Sequence, residues 1–164
     1  MAADAYVGVD PGDKGAYCLL VPSTKQVAFT PTTWHGSKTI AWFDRIMNEF
    51  ELVVTQIEDV HSLHGMSAKS NFTFGRNVER VNLIPSIAGS PIDLVTPKTW
   101  QKHIGLKPIK TGTKGRSTII KKNIAEICER LYPNVNIRGP RGGLLDGHSD
   151  ALMIAHYASQ TFKL

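Results

Sequence analysis

Short apolar runs open the chain and longer helical periods close it. Tyr6–Asp10, Ala16–Val21 and Gln26–Thr30 each read as a strand, being rich in β-branched, aromatic or aliphatic residues and separated by turn residues. Their brief connections predict an antiparallel meander. Ser37 opens a predicted helix to about Glu49, with Ile40, Phe43, Ile46, Met47 and Phe50 at helical spacing. Glu51–Glu58 predicts a central strand, His61–Asn71 is polar and irregular, and a helix is predicted over Phe72–Ala88. Pro91–Val95 reads as a short strand and Pro97–His103 as a short helix. The basic, glycine-containing stretch Ile104–Arg116 predicts a mobile loop.

Ser117 or Thr118 then opens a helix to about Leu131, placing Ile120, Ile124, Ile127 and Leu131 on one face before Pro133 stops it. Asn134–Gly143, with proline, glycine and two arginines, reads as a surface loop, and a last helix runs from about Asp146 to Phe162. This order of elements describes an α/β sandwich around one mixed sheet.

A length of 164 residues suits one domain over the whole chain, and 41% hydrophobic with 20% charged residues is ordinary for a soluble protein. The longest apolar runs are too short to span a bilayer, so no membrane association is expected. The first residues lack a basic stretch followed by an apolar one, and no secretory signal is expected. Cys18 and Cys128 read as small buried thiols, without metal-site spacing or a disulfide framework. This fits a reducing compartment such as the cytoplasm.

Charge changes the picture through its distribution. The net charge is +5, and no acidic residue occurs between Asp93 and Glu126. That window holds Lys98, Lys102, Lys107, Lys110, Lys114, Arg116, Lys121 and Lys122, with His103 besides. A one-signed stretch of this kind attracts a polyanion, and nucleic acid is the commonest one inside a cell.

The acids are placed differently. The strand Tyr6-Val7-Gly8-Val9 ends in Asp10, after which Pro11 and Gly12 force a turn toward Gly15 and the second strand. A carboxylate there either opens the turn or meets a positive partner that offsets its desolvation. Glu58 sits just past an apolar strand in the same way, and Asp59 points to the opposite face because strand side chains alternate. Asp146 and Asp150 lie four residues apart, on one face of a helix that includes both. Taken alone, Asp146 is most simply an N-cap. Gly147, Ser149, Ala151 and Ala155 would let this helix approach the sheet closely. On an ideal helix His148 faces away from both aspartates, toward solvent or DNA. Four carboxylates from two strand ends and a helix start would form an all-oxygen pocket for Mg²⁺ or Mn²⁺, able to support phosphodiester hydrolysis.

With these residues in place, the chain resembles the RuvC family of Holliday junction resolvases, within the RNase H-like superfamily. The matching pieces are Val7-Gly8-Val9-Asp10-Pro11-Gly12 with Gly15, Ile57-Glu58, and Asp150-Ala151-Leu152-Met153-Ile154-Ala155. Phe74-Gly75-Arg76-Asn77 and Val95-Thr96-Pro97-Lys98-Thr99-Trp100 also look like family segments. The likeness is to the compact phage, poxviral and organellar members and covers nearly the whole chain.

The resemblance implies an RNase H-like fold and a homodimer that nicks four-way junctions in symmetric pairs. It implies catalytic, Mg²⁺-binding roles for Asp10, Glu58 and Asp150. Many cellular members carry a further ligand three residues before the last acid, where this chain has Gly147. Asp146 is the substitute and His148 the runner-up. Lys102 and Lys114-Gly115-Arg116 look similar to a family stretch that touches the scissile phosphate, and a generic backbone contact is the alternative. Lys98, Lys110 and Arg76 join them as DNA contacts. Phe72 and Phe74 follow the Glu58 loop, where members insert an apolar wedge at the junction centre. Phe72 is the favoured wedge, and a core role suits the other. His61, His64 and Met66 read as DNA-facing or structural.

Rival classes are a non-catalytic junction-binding module, an actin-like ATPase and an RNase H-type enzyme acting on RNA–DNA hybrids. The three motif acids speak against the first. The length leaves no room for the second domain that the ATPase needs.

Overall fold

The computed structural model describes residues 2–33, 36–60 and 67–162. Five strands form one mixed sheet: β1 (Asp4–Val9), β2 (Ala16–Val21), β3 (Gln26–Pro31), β4 (Glu51–Glu58) and β5 (Ile92–Val95), in the order β3-β2-β1-β4-β5. The first three pair antiparallel, as the short turns predict, while β1, β4 and β5 run parallel. The helices are α1 (Gly36–Glu49), α2 (Ala68–Ile87), α3 (Pro97–His103), α4 (Arg116–Leu131) and α5 (Asp146–Thr161). Among the described residues, no helix is long and apolar enough to cross a membrane.

Alternation along β2 divides the core. Tyr17, Leu19 and Val21 pack with Val7, Val9, Trp42, Phe43 and Ile46 on the α1 side. Ala16, Cys18 and Leu20 pack with Trp100, Ile124, Cys128, Ala151 and Leu152 on the α5 side. Both cysteines are buried free thiols. The same period-two logic sends Gly8 to the α5 side of β1, and Asp10 follows it at the next position of that parity.

Gly8 is where the helix meets the sheet. A Cβ on it would lie 2.1 Å from the Ala151 carbonyl oxygen and 2.3 Å from the Ala155 nitrogen. The small-residue face of α5 therefore rests directly on the β1 backbone, which fixes where the first turn of α5 falls relative to Asp10.

Several boundaries differ from the sequence reading. α2 starts at Ala68, four residues before Phe72, because Ser67 caps it: its hydroxyl accepts from the Ser70 N–H at 3.2 Å. The predicted irregular segment is therefore helical from Ala68, and residues 61–66, with His61, His64 and Met66, lie outside the described residues. α4 begins at Arg116 without a serine or threonine cap, since Gly115 takes the cap position at φ 69°. Asn134–Gly143 is anchored as well as exposed. Ile137 is fully buried, Arg138 bridges to Leu144, and Arg138 Nε donates to Glu129 Oε1 at 2.8 Å.

Candidate active site

The β1–β2 turn positions Asp10. The Asp10 N–H donates to the Ala16 carbonyl at 3.1 Å, and the Gly15 N–H to Gly12 at 2.8 Å. The Gly12 N–H donates to Asp10 Oδ1 at 3.2 Å, which orients the carboxylate. Gly15 has no space for a side chain, because a Cβ there would lie 2.0 Å from the Asp10 carbonyl oxygen. The turn is tied down by the buried Thr32, whose hydroxyl faces the Gly12 and Gly15 carbonyls at 3.0 and 3.2 Å. Asp10 thus both opens the turn and projects from it.

Parallel pairing brings Glu58 alongside. Val9 stands opposite Ile57, so the next residues, Asp10 and Glu58, leave neighbouring strands at the same sheet edge. Trp100, fully buried, donates from Nε1 to Glu58 Oε1 at 2.9 Å. The third acid comes from α5. A Cβ on Gly147 would lie 2.1 Å from the Lys14 carbonyl oxygen, so the first turn of α5 presses on the β1–β2 turn. Asp10, Asp13, Lys14, Lys121, Asp146 and Asp150 together line a cavity of about 400 Å³.

The electrostatics tie Glu58 to this group although it does not line the cavity. Burial pushes the Glu58 carboxyl up to about 7, the Trp100 hydrogen bond opposes this, and the Asp10 charge adds to it. Burial likewise raises Asp10, against the Gly12 N–H. Asp150 is raised well above the ordinary range by burial and then by the charges of Asp10, Glu58 and Asp146. Its Oδ1 is sealed from solvent and has no hydrogen-bond partner. These are desolvated acids with too little positive charge near them.

That donor chemistry fits a hard divalent cation, which prefers carboxylate oxygens. The present arrangement is not a closed cage, however. Among the described residues, no three Asp, Glu, His or Cys side chains gather closely enough to ligate one ion. Asp146 is engaged elsewhere, in an ion pair with Lys121. Nor is Asp146 the N-cap that its position suggested: Leu145 occupies the cap, with no side-chain bond.

His148 does not face solvent or DNA as an ideal helix implied. Its ring stacks on Phe29, with centroids 4.3 Å apart and planes 9° apart, and burial lowers its pKa. The reason is the outer strand β3, which extends beneath that face of α5 and supplies Phe29. His148 does not line the acid cavity.

The basic residues form a separate feature. Lys98, Lys102, Lys107 and Arg116 line a cavity of about 720 Å³ floored by Leu106, Ile109 and Ile120. Arg116 Nε donates to the Ile109 carbonyl at 3.2 Å, tying the 104–115 segment to α4. Lys110 and Lys114 are exposed outside this cavity. On α2, Phe72 is 68% exposed with the Arg76 guanidinium 5.9 Å from its ring centre, while Phe74 is half-buried. The sequence therefore marked three surfaces, which the fold keeps apart.

Three side-chain contacts to acids beside the site escaped the sequence reading. Trp100 was noted only as part of a segment, and its long-range bond to Glu58 has no local signature. Asn77 of α2 donates to Asp13 beside the acid cavity. Lys121 counted only as one member of the basic window.

No protein-family model matches the chain, and no curated protein sequence matches it. Solved structures do. The chain is similar to Thermus thermophilus RuvC in complex with a Holliday junction substrate, at 13% identity, TM-score 0.59 and 96% coverage of each chain. A second Thermus thermophilus RuvC structure aligns at 12% identity and TM-score 0.56 over the same shares. The yeast mitochondrial Holliday junction resolvase Ydc2 aligns at 17% identity and TM-score 0.43, over 95% of this chain and 78% of that one. The first two place the chain in the fold of the RuvC structures, as the family resemblance implied.

Proposed function

We propose that the chain is a divalent-metal-dependent, structure-selective endonuclease that resolves four-way DNA junctions. The observation that carries this is the mutual electrostatic influence of Asp10, Glu58 and Asp150, which leave two parallel strand ends and one helix start at the same sheet edge. All three are desolvated and short of positive charge. The fold shared with RuvC, one structure of which holds a Holliday junction substrate, supports the choice of junction over other nucleic acids.

Asp10, Glu58, Asp150 and Asp146 would hold Mg²⁺, with Mn²⁺ as a substitute. Asp146 is preferred to His148 as fourth ligand because it lines the cavity and His148 is stacked on Phe29. Bound there, such ions supply an activated water and counter-charge for phosphodiester hydrolysis that leaves 5′-phosphate and ligatable 3′-hydroxyl ends.

The chain's own residues do the rest. The Gly12 N–H and the Trp100 indole each hold one oxygen of Asp10 and Glu58, which keeps the remaining oxygens oriented. Lys98, Lys102 and Arg116 neutralise backbone phosphates, and Lys110 and Lys114 extend that track across the exposed rim. Phe72, exposed and backed by Arg76, stacks on an opened base pair. The exposed Leu83 and Ile87 of α2 form the face on which a second copy packs, giving two active sites and paired symmetric nicks.

The test is an assay with end-labelled four-way junctions, flaps, RNA–DNA hybrids and linear duplex, each with Mg²⁺, Mn²⁺ or EDTA. The junction should be nicked symmetrically in either metal and untouched in EDTA. Faster cleavage of the hybrid than of the junction would overturn the junction assignment.

A further inference from the structure

Lys121 lies in the second turn of α4, in the acid-free window, yet its ammonium turns toward the acid cavity. It pairs with Asp146 and borders the acid cavity together with Asp10 and Asp150. Its neighbour Lys122 pairs instead with Glu126, at 3.9 Å, and does not line the acid cavity. The acid cluster thus already holds one cation, and that cation belongs to the protein.

Two further observations bear on this. The Asp150 Oδ1 is enclosed and unpartnered, so the cluster is not satisfied by the lysine alone. And among the described residues no three candidate ligands gather closely enough to hold one ion, Asp146 being paired with Lys121. Lys121 also has somewhere to go. Its side chain is half exposed and borders a second cavity of about 470 Å³, on the α4 side, which Lys122, Glu126, Arg138, Leu144 and Asp146 also line. Leaving Asp146 therefore requires no burial of the ammonium.

We infer that Lys121 is a positioning residue that occupies the seat of the divalent cation at Asp146 and is displaced when the ion binds. This rests on the metal-dependent reading above and deepens it. The pair is partly exposed, the Lys121 side chain by half, so it is weak enough for a divalent ion to break. A +1 charge beside the seat still repels the incoming ion and holds one of its ligands. Lys121 thereby sets the metal concentration at which the cluster fills, while keeping the acids apart and partly neutralised beforehand.

The test reads Mn²⁺ binding directly, by electron paramagnetic resonance of free Mn²⁺ at low ionic strength without DNA. Lys121→Met should bind Mn²⁺ about fivefold more tightly than the wild type. Lys121→Arg, which keeps the charge and the pair, should stay within about twofold of it. Lys122→Met, which removes the same charge one residue away, should also stay within about twofold. Equal tightening in Lys121→Met and Lys122→Met would overturn the inference, since only general charge would then matter, and so would no tightening in Lys121→Met. The metal-dependent reading fails separately, if Asp150→Asn binds Mn²⁺ as the wild type does. Circular dichroism melts of each variant establish that the comparison is between folded proteins.

Discussion

The acid cavity and the basic cavity share one helix, α4, and are built by opposite means. Each acid leaves a strand end or a helix turn whose backbone is fixed by close packing, at Gly8, Gly15 and Gly147. The basic side chains stand mostly exposed on a short helix, a turn-rich segment and the start of α4. The first arrangement is preorganised and strained by charge; the second is adaptable and cheap to alter. Substitutions in the two regions should therefore separate catalysis and stability from substrate binding.

The largest expected effect falls on the acid side. Asp150→Asn should lower junction cleavage by about a thousandfold or more while leaving junction affinity in Ca²⁺ within about twofold. Because it removes an uncompensated buried charge, it should also raise the melting temperature of the metal-free protein. A melt lowered by several degrees would show that the carboxylate stabilises the fold.

Next comes the packing that aims the acids. Gly8→Ala puts a methyl group inside the contact distance of α5 and should cost about 3 kcal/mol of unfolding free energy, read by urea denaturation. The basic side offers the contrast. Lys102→Ala with Lys107→Ala should weaken junction binding about tenfold and reduce the salt dependence by about two in slope. The melting temperature should stay unchanged. If this pair destabilises the fold as Gly8→Ala does, the distinction between the two regions is lost.

What the sequence made legible follows the same division. Strand ends, period-two alternation and the Gly-rich turn located Asp10 and Glu58 at one sheet edge. The small-residue face of α5 announced its close approach to β1. Long-range side-chain partners were not legible. Trp100 reaches Glu58 across 42 residues, and Lys121 reaches Asp146 across 25. Such pairs depend on how α3 and α4 dock, which no local pattern encodes. His148 was misplaced for a similar reason, since helix geometry gives a direction but not the strand that lies under it. The Gly115 start of α4 escaped because serine and threonine nearby offered the more usual cap.

The smallest expected effect concerns pH. The Glu58 carboxyl sits at about 7 in the fold against an ordinary 4.5, so the folded state keeps a proton that the unfolded chain releases. Its contribution to stability is full below the ordinary value and is lost as pH rises through about 7. The metal-free protein should therefore lose about 5 °C of melting temperature between pH 5 and pH 8. Glu58→Gln should flatten part of that fall, the rest belonging to Asp10 and Asp150, which shift in the same direction. A slope identical to that of the wild type would remove Glu58 from the buried cluster.

The central claim, that the carboxylates at this sheet edge perform phosphodiester hydrolysis on branched DNA, is tested most directly by Asp10→Ala on an end-labelled four-way junction. The account predicts that the variant binds the junction as the wild type does in EDTA or Ca²⁺ and makes no nicks in Mg²⁺ or Mn²⁺. Nicking at the wild-type rate by Asp10→Ala would contradict it.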